Sequence, residues 1–376
     1  MGLAPRPEAA GVRAVLHGGI DYGELEELGL EPSQVLDFSA NLNPFGPAPV
    51  VQRAVRTLLR ESPDAVARYP DSLALRLRRA LAERLAVDAE SLVVGNGSTE
   101  LIRLLALAYF GRGDRVLLVQ PTFGEYEVAC RIAGASVVTE QLSPGRDFEL
   151  DVDGMVSNIG RWRPKGVFLC NPNNPTGRYL PREAVERIVK SARGALVVLD
   201  EAYITFVDET WDSISLACGD AVEQMGSLVV LRSMTKDYGM AGLRLGYAVA
   251  GREVICMLRR ICPPWNVNAL AQEAAIAAIG DDDYLERTRK ELSKAKRYLV
   301  RELSAMGWPP VPSEANFFLV RVGDAGQVRR ELLKRGLLVR DCTSFGLGGY
   351  VRIAARSMGD CRRLVAALKE VRGIRA

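Results

Sequence analysis

Short runs of apolar residues alternate, between about residues 72 and 250, with longer segments whose apolar positions recur every three or four residues. The short runs are typical of buried strands and the longer segments of helices with one apolar face. This alternation predicts an α/β fold, with a mostly parallel sheet covered by helices on both faces. The predicted strands are SLVV (91–94), DRVLLV (114–119), ASVVTE (135–140), GVFLC (166–170), ALVVLDE (195–201), SLVVLRS (227–233) and RLGYAVA (244–250). The predicted helices span 72–85, 99–110, 124–134 and 181–193.

The pattern changes after about residue 270, where a long helical stretch is followed by further strands and helices. This change predicts a smaller α+β domain at residues 271–376, after a large domain at residues 46–270. Residues 1–45 are irregular and rich in glycine and proline, which indicates an N-terminal arm rather than a packed domain.

Distinctive polar motifs stand at the ends of the predicted strands. They are GNGSTE (95–100), NPNNPTG (171–177), DEAY (200–203) and SMTK (233–236). Ligands of parallel sheets bind at the carboxyl ends of the strands, so these motifs are expected to surround one site.

Lys236 is the first candidate for the chemistry, because lysine forms Schiff bases with carbonyl compounds. Ser233 and Thr235 offer hydroxyl groups to a phosphate, and Arg244 offers a planar fork of donors to the same anion. Taken alone, the tetrapeptide SMTK is more often a surface lysine beside a loop arginine, because such tetrapeptides are frequent by chance. Gly97, Ser98 and Thr99 open a helix, whose N-terminal amides also suit a phosphate.

Asp200 ends an apolar strand, where a carboxylate is costly unless it is paired. A protonated pyridine nitrogen is one suitable partner, and a helix N-cap is the alternative. Asn174 and Tyr203 can bind a phenolic oxygen of such a ring. Phe123 can stack on the ring, although an aromatic residue after a strand is more often part of the core.

Composition narrows the chemistry. The chain of 376 residues has one histidine, so multi-histidine metal sites and relays are excluded, and no metal is expected. With 49 basic and 46 acidic residues, its net charge of +3 does not suggest a nucleic-acid partner. Its seven cysteines include no CxxC pair, and neither a secretory signal nor a membrane-spanning stretch is visible. We therefore expect a cytoplasmic protein that depends on a bound cofactor.

In this order, the motifs NGST, PTFGEY, NPNNPTG, DEAY, SMTK and GLRLGY resemble the class I and II aminotransferases, which are fold type I enzymes dependent on pyridoxal 5'-phosphate. The resemblance implies that Lys236 binds the cofactor covalently, that Asp200 pairs with its ring nitrogen and that Phe123 stacks on the ring. Asn174 and Tyr203 bind the ring hydroxyl. The residues implied at the phosphate are Gly97, Ser98, Thr99, Ser233, Thr235 and Arg244. Tyr69 reaches the cofactor phosphate of a neighbouring subunit, which implies a homodimer with shared active sites. Arg352 clamps the substrate α-carboxylate.

Two subgroups resemble this chain most, the histidinol-phosphate aminotransferases and the threonine-phosphate decarboxylases of cobalamin biosynthesis. The strings HGG (17–19), LDFSANLNPFG (36–46) and PPWNVNALA (263–271) favour the decarboxylases. We therefore expect decarboxylation of O-phospho-L-threonine to (R)-1-aminopropan-2-ol phosphate. The alternative is an aminotransferase acting on histidinol phosphate or a related phosphorylated amino compound. The arm is expected to cover a small phosphorylated substrate. The resemblance to the decarboxylases implies that His17, Gly18, Asn41 and Arg340 contact this substrate, beside Asn174 and Arg352. Ile20 departs from the asparagine that often follows HGG in the decarboxylases.

Overall fold

A computed structural model of the chain describes residues 3–218 and 227–373. Its strands are β1 Leu36–Asp37, β2 Leu92–Asn96, β3 Arg115–Gln120, β4 Ser136–Gln141, β5 Gly166–Cys170, β6 Leu196–Asp200, β7 Ser227–Ser233, β8 Leu245–Ala250, β9 Phe317–Arg321, β10 Leu337–Leu338, β11 Arg340–Asp341 and β12 Tyr350–Ala354. Its α-helices are α1 Pro7–Ala10, α2 Tyr22–Leu28, α3 Pro49–Glu61, α4 Leu75–Leu85, α5 Ser98–Tyr109, α6 Glu125–Ala133, α7 Val152–Trp162, α8 Arg182–Ser191, α9 Ser213–Cys218, α10 Arg252–Ile261, α11 Ala269–Ile279, α12 Asp282–Ala305, α13 Ala325–Leu333 and α14 Met358–Val371.

Seven strands of the described ranges form the large sheet, in the order β2-β8-β7-β6-β5-β3-β4. Strands β3 to β7 pair in parallel, and β8 runs antiparallel to both of its neighbours. The predicted α/β fold with a mostly parallel sheet is confirmed. Since β2 therefore runs in the same direction as β7, the carboxyl ends of β2, β3, β5, β6 and β7 share one edge with the amino end of β8.

The large sheet is buried on both faces, which explains its uninterrupted apolar strands. In β6, Val197 and Leu199 join one apolar cluster while Leu196 and Val198 join the cluster on the other face. All five residues of β6 are buried, including its last residue, Asp200. The fold thus places an acidic residue where its solvation is poor.

A smaller antiparallel sheet, in the order β11-β12-β9, lies in the C-terminal part of the chain. Its register sets Arg340 of β11 directly opposite Arg352 of β12. The helix α12 connects the two parts, because Tyr284 near its start is buried in a cluster of the large sheet and Leu299 near its end in the cluster of the small sheet. No helix of the described ranges is long and apolar enough to cross a membrane.

Candidate active site

Lys236 lies in the loop after β7, at the edge where the strand ends converge. The end of the arm holds the two backbone carbonyls of this loop: the Asn43 amide N–H donates to the Lys236 carbonyl at 2.8 Å, and Asn43 Nδ2 donates to the Asp237 carbonyl at 2.8 Å. Glycine is required at position 239 beside this contact, because a Cβ on Gly239 would lie 2.5 Å from the Gly46 carbonyl. The lysine loop is therefore fixed from outside the sheet.

The surroundings of Lys236 favour its neutral amine. Burial lowers the pKa of Lys236 to about 8, and the positive charges of Arg352 and Arg244 act in the same direction. Asp200 opposes these effects. A neutral amine near physiological pH is the form that attacks an aldehyde.

Asp200 is buried at the end of β6, and both of its carboxylate oxygens have partners. The Tyr126 hydroxyl donates to Oδ2 at 2.8 Å, and the Ala202 amide donates to Oδ1 at 3.0 Å. Burial raises the pKa of Asp200, while these two hydrogen bonds oppose the rise. Sequence reasoning missed Tyr126, because a tyrosine in the first turn of an amphipathic helix reads as core.

The start of α5 forms an anion-binding site. Gly97 has a φ of 74° and precedes the first helical residue, Ser98. A Cβ on Gly97 would lie 2.6 Å from Arg244 Nη2, so this glycine brings the guanidinium close to the helix N-terminus. Across the site, the Ser233 and Thr235 hydroxyls lie 2.7 Å apart. Amides, hydroxyls and a guanidinium together suit a phosphate group.

The loop after β5 presents Asn174 to the site. Its other asparagines shape the loop: Asn171 Oδ1 accepts from the Leu180 amide at 2.7 Å, and Asn173 Oδ1 accepts from the Thr122 hydroxyl at 2.9 Å. Asn174 Oδ1 accepts a hydrogen bond from Arg352 Nη1. Its amide nitrogen has no protein partner among the described residues and is available to a ligand.

Two further buried groups face the site. Burial raises the pKa of the Tyr203 phenol to about 12, so Tyr203 stays protonated and can donate. Asn41, which lies beside it, is only 2 % exposed, and no described residue satisfies its side-chain oxygen or nitrogen. A buried unsatisfied amide is costly, which indicates that a bound molecule completes its hydrogen bonds.

The N-terminal arm crosses the mouth of the site. His17 Nε2 lies 3.1 Å from Glu125 Oε1, and the His17 ring centroid lies 5.7 Å from that of Phe123. The next residue, Gly18, packs so closely on Ser39 that a Cβ would lie 2.3 Å from the Ser39 carbonyl oxygen. The arm therefore contacts both the large sheet's loops and the segment that leads from β1.

Arg340 and Arg352 lie side by side in the small sheet. Arg352 Nη2 donates to the Ser39 carbonyl at 2.6 Å, and Arg340 Nη2 donates to the Leu16 carbonyl at 2.6 Å. Neither guanidinium forms a salt bridge with a described residue, and Arg352 Nε is buried without a partner. Burial lowers the pKa of Arg340, and the charge of Arg352 adds to this effect. Like charges directly opposite each other repel, so this pair favours an anion.

Tyr69 lies apart from the site of its own subunit. It is 77 % exposed and stacks on the exposed Trp265, with ring centroids 4.1 Å apart. The structure therefore brings together the other predicted cofactor residues around one cavity, while Tyr69 stands on the outer surface. The predicted residues that line this cavity are Gly97, Ser98, Thr99, Phe123, Asn174, Asp200, Tyr203, Ser233, Thr235, Lys236 and Arg244.

This arrangement fits pyridoxal 5'-phosphate. The anion-binding site suits its phosphate, Lys236 suits its aldehyde, and the buried carboxylate of Asp200 suits a cationic ring nitrogen. The unsatisfied Asn41 amide belongs to the arm and lies beside Tyr203, which lines the cavity.

Comparisons with known proteins agree with this fit. The family model "Aminotransferase class I and II" matches residues 33–368. The histidinol-phosphate aminotransferases of Moorella thermoacetica and Symbiobacterium thermophilum are 38 % and 39 % identical to this chain, over 92 % of its length and 87 % and 92 % of theirs. The solved structure of L-threonine-O-3-phosphate decarboxylase from Porphyromonas gingivalis is 29 % identical, with a TM-score of 0.78, and covers 89 % of this chain and 99 % of its own.

The expectation of a threonine-phosphate decarboxylase is wrong. Relatives that are 34–39 % identical over 88–92 % of this chain are histidinol-phosphate aminotransferases, and they support the alternative reading instead. The predicted role in cobalamin biosynthesis depended on the decarboxylase and has no support without it. Two of the strings that suggested the decarboxylase contain residues that brace the cofactor site: Asn43 holds the lysine loop, and Asn266 donates to Glu100 Oε2 at 2.6 Å.

The prediction of the cofactor does not depend on that choice of subgroup and is confirmed. With the matched family model, the relatives and the residues around Lys236 in agreement, the chain belongs to the class I and II aminotransferases, enzymes of fold type I that depend on pyridoxal 5'-phosphate.

Proposed function

We propose that the protein is an aminotransferase that moves the amino group of histidinol phosphate, or of a related phosphorylated amino compound, to 2-oxoglutarate. The observation that carries the proposal is that Arg340 and Arg352 lie opposite each other without a salt bridge to any described residue. Arg352 is bonded to Asn174, which lines the cofactor cavity. Histidinol phosphate has a phosphate but no carboxylate, so an arginine pair suits its anionic end. The acceptor, a dicarboxylate, can use the same pair when it follows into the same site.

Each residue has a separate task in the proposed reaction. The cofactor supplies an electron sink for the carbanion at the substrate Cα. Lys236 Nζ, with a pKa lowered to about 8, accepts the proton from Cα and returns it. Asp200 keeps the ring nitrogen protonated, and Asn174 and Tyr203 bind the ring oxygen. Arg352 orients the anionic end of the substrate through its planar fork.

The phosphate end of the cofactor has its own contacts in this proposal. The residues that hold it are Gly97, Ser98, Thr99, Ser233, Thr235 and Arg244. Phe123 would cover one face of the cofactor ring, and the His17 ring packs against Phe123. These groups anchor the cofactor without contacting the substrate arginines, so binding of the cofactor and binding of the substrate can be tested separately.

We also propose that residues 1–45 act as an arm over the substrate, with a large domain at 46–270 and a small domain at 271–376. The packing of Gly18 on Ser39 within the arm and the hydrogen bond from Arg340 to the Leu16 carbonyl support this role, as does the buried unsatisfied amide of Asn41 near the end of the arm. The helix α11 spans the proposed boundary and packs into the core of the large sheet.

Product analysis with the purified holoenzyme tests the function. We expect glutamate to form from 2-oxoglutarate and histidinol phosphate, and Lys236→Ala to abolish it. Release of carbon dioxide from O-phosphothreonine without an acceptor would overturn the proposal. Failure with every phosphorylated amine, in an enzyme that still shows the visible absorption of its cofactor, would also overturn it. The reducing cytoplasm is the proposed compartment, in keeping with seven free cysteines.

A homodimer with shared active sites belongs to this proposal. The support is an exposed apolar surface around Tyr69 that one subunit leaves uncovered. Its exposed members are Leu59, Val66, Tyr69, Leu73, Leu75 and Trp265.

Mixed dimers of Lys236→Ala and Tyr69→Phe subunits test the sharing. If Tyr69 serves the partner's cofactor, the native Lys236 of one subunit and the native Tyr69 of the other meet in one site of the mixed dimer. That single site should then have the activity of a wild-type site. Activity that stays at the level of the Tyr69→Phe homodimer places Tyr69 outside the shared site.

A further inference from the structure

Tyr126 is a fully buried residue of α6 whose hydroxyl contacts Asp200. It donates to Asp200 Oδ2 at 2.8 Å, while the Ala202 amide donates to Oδ1 at 3.0 Å. Two donors on different elements therefore hold the two carboxylate oxygens. A carboxylate held in this way has one orientation rather than several.

The ring of Tyr126 is itself held on two sides. It stacks on Phe168 of β5, with ring centroids 4.9 Å apart and an interplanar angle of 18°. The Phe123 ring meets it edge-on, with centroids 5.6 Å apart and an angle of 81°. Because these contacts restrict both side-chain torsions, the position of the hydroxyl is determined by packing and not by Asp200 alone.

The groups that face Asp200 come from several elements, and few of them carry charge. Burial raises the pKa of Tyr126 well above its ordinary value, so its hydroxyl remains a donor. Burial also raises the pKa of the Cys170 thiol to about 12, which leaves it neutral. Tyr203 is protonated, Glu201 is bound by Arg232, and Lys236 is the cation that acts on Asp200. Loss of the Tyr126 hydrogen bond thus removes a main source of stabilisation for the carboxylate.

We propose that Tyr126 is a positioning residue for the reaction: its hydroxyl fixes the orientation of the Asp200 carboxylate and keeps this carboxylate ionised for the cofactor. The inference rests on the proposed pairing of Asp200 with the ring nitrogen. It adds Tyr126, the last residue of the PTFGEY motif and part of α6, to the control of that pairing. Tyr126 acts only through Asp200.

The variant Tyr126→Phe isolates the hydroxyl, because phenylalanine preserves both ring contacts. We expect kcat to fall about tenfold and the acid limb of the kcat profile to move up by about one pH unit, as expected for the loss of one hydrogen bond to a charged acceptor. The sign follows from Asp200, which then needs a higher pH to ionise. The matched control is Tyr109→Phe, since Tyr109 packs against the same apolar cluster but does not line the cavity.

A spectroscopic readout separates positioning from simple damage. When the Asp200 carboxylate is less readily ionised, the ring nitrogen carries less positive charge. The nitrogen that joins Lys236 to the cofactor then holds its proton more tightly. The pH midpoint of the visible absorption band should therefore rise in Tyr126→Phe and stay unchanged in Tyr109→Phe. An unchanged midpoint and an unchanged acid limb in Tyr126→Phe would overturn the inference, whatever happens to kcat.

The double variant Tyr126→Phe/Asp200→Asn distinguishes the inference from its premise. If Tyr126 acts through Asp200, adding Tyr126→Phe to Asp200→Asn changes neither kcat nor the midpoint further. Additive losses would overturn the positioning role. If Asp200→Asn alone leaves the visible band and kcat unchanged, the proposed role of Asp200 fails, and the inference fails with it. If Asp200→Asn changes the visible band and kcat but Tyr126→Phe changes neither, the role of Asp200 stands and only the positioning role of Tyr126 is rejected.

Discussion

Arg352 donates a hydrogen bond to the side-chain oxygen of Asn174, although the two residues belong to different sheets. Arg352 lies on β12 of the small sheet, and Asn174 lies in the loop after β5 of the large sheet. The bond connects a residue proposed to bind the substrate with one proposed to bind the cofactor ring. Since Arg352 Nη2 is held by the Ser39 carbonyl at 2.6 Å, the plane of its guanidinium is fixed before any substrate arrives.

Replacing Arg352 with lysine tests the value of that fixed plane. Lysine keeps the charge but cannot bind two acceptors and an anion in one plane. We expect kcat/KM to fall about 10- to 100-fold for both histidinol phosphate and 2-oxoglutarate, in line with about 1.5–3 kcal/mol for a hydrogen bond to a charged group. Steady-state kinetics would show the loss mainly in KM. The control is Arg362→Lys, because Arg362 is exposed on α14. An unchanged KM of Arg352→Lys for both substrates would contradict the prediction.

The lowered pKa of Lys236 predicts how the cofactor-free enzyme takes up pyridoxal phosphate. Because the neutral amine reacts, uptake should accelerate about tenfold per pH unit below pH 8 and level off above it. A lysine with the ordinary pKa of 10.5 would continue to gain rate well beyond that point. Growth of the visible absorption band between pH 7 and 10 measures the rate, and Lys236→Ala should show no band. A midpoint near pH 10 would refute the effect of burial.

Gly18→Ala tests the seating of the arm. The added methyl group would lie 2.3 Å from the Ser39 carbonyl oxygen and 3.2 Å from Arg352 Nη2, so the arm must move away. We expect KM for the phosphorylated substrate to rise severalfold, while the free energy of unfolding changes by less than about 1 kcal/mol, because Gly18 is exposed. Gly23→Ala in α2 is the matched control, since its methyl group meets only an ordinary contact at 3.4 Å. Equal KM values for the two variants would disprove the close packing.

His17→Ala tests the only histidine of the chain. Its ring bridges Glu125 and Phe123 at the mouth of the site. We expect KM for histidinol phosphate to rise about fivefold, the size of one modest hydrogen bond. The visible absorption of the cofactor should not change, because His17 is not among the residues that line the cofactor cavity. If KM remains at the wild-type value, His17 does not contact the substrate.

The fold was largely predictable because its strands are buried on both faces. β6 reads as a run of apolar residues ended by Asp200, and the structure ends the strand at that residue. β1 could not be predicted, since a two-residue strand has no periodicity and its partner β10 lies some three hundred residues further along the chain. The helix α3 was overlooked although Val51, Val55 and Leu58 recur at helical spacing. The long predicted helix after residue 269 is two helices, because Gly280 separates α11 from α12.

The site was predictable where a motif follows a strand and unpredictable where packing decides. Lys236 and Asn174 stand at strand ends, so their meeting follows from the parallel sheet. Tyr126 gave no signal, because nothing in its local sequence distinguishes a hydroxyl on a carboxylate from a core aromatic. The substrate was misjudged because Asn43 and Asn266 hold backbone and loop groups around the cofactor. Such residues serve any enzyme with this cofactor site.

The segment that begins at Ser39 has an evolutionary consequence. Its carbonyl accepts a hydrogen bond from Arg352, and its hydroxyl accepts one from the Gly19 amide at 2.7 Å. Four residues later, Asn43 donates both of the hydrogen bonds that hold the lysine loop. Much of this junction is made of main-chain atoms, which survive side-chain replacement. Side chains at the tip of the arm can therefore drift under selection for a new substrate while the catalytic lysine stays in place. One ancestral scaffold can give rise to enzymes of different specificity in this way.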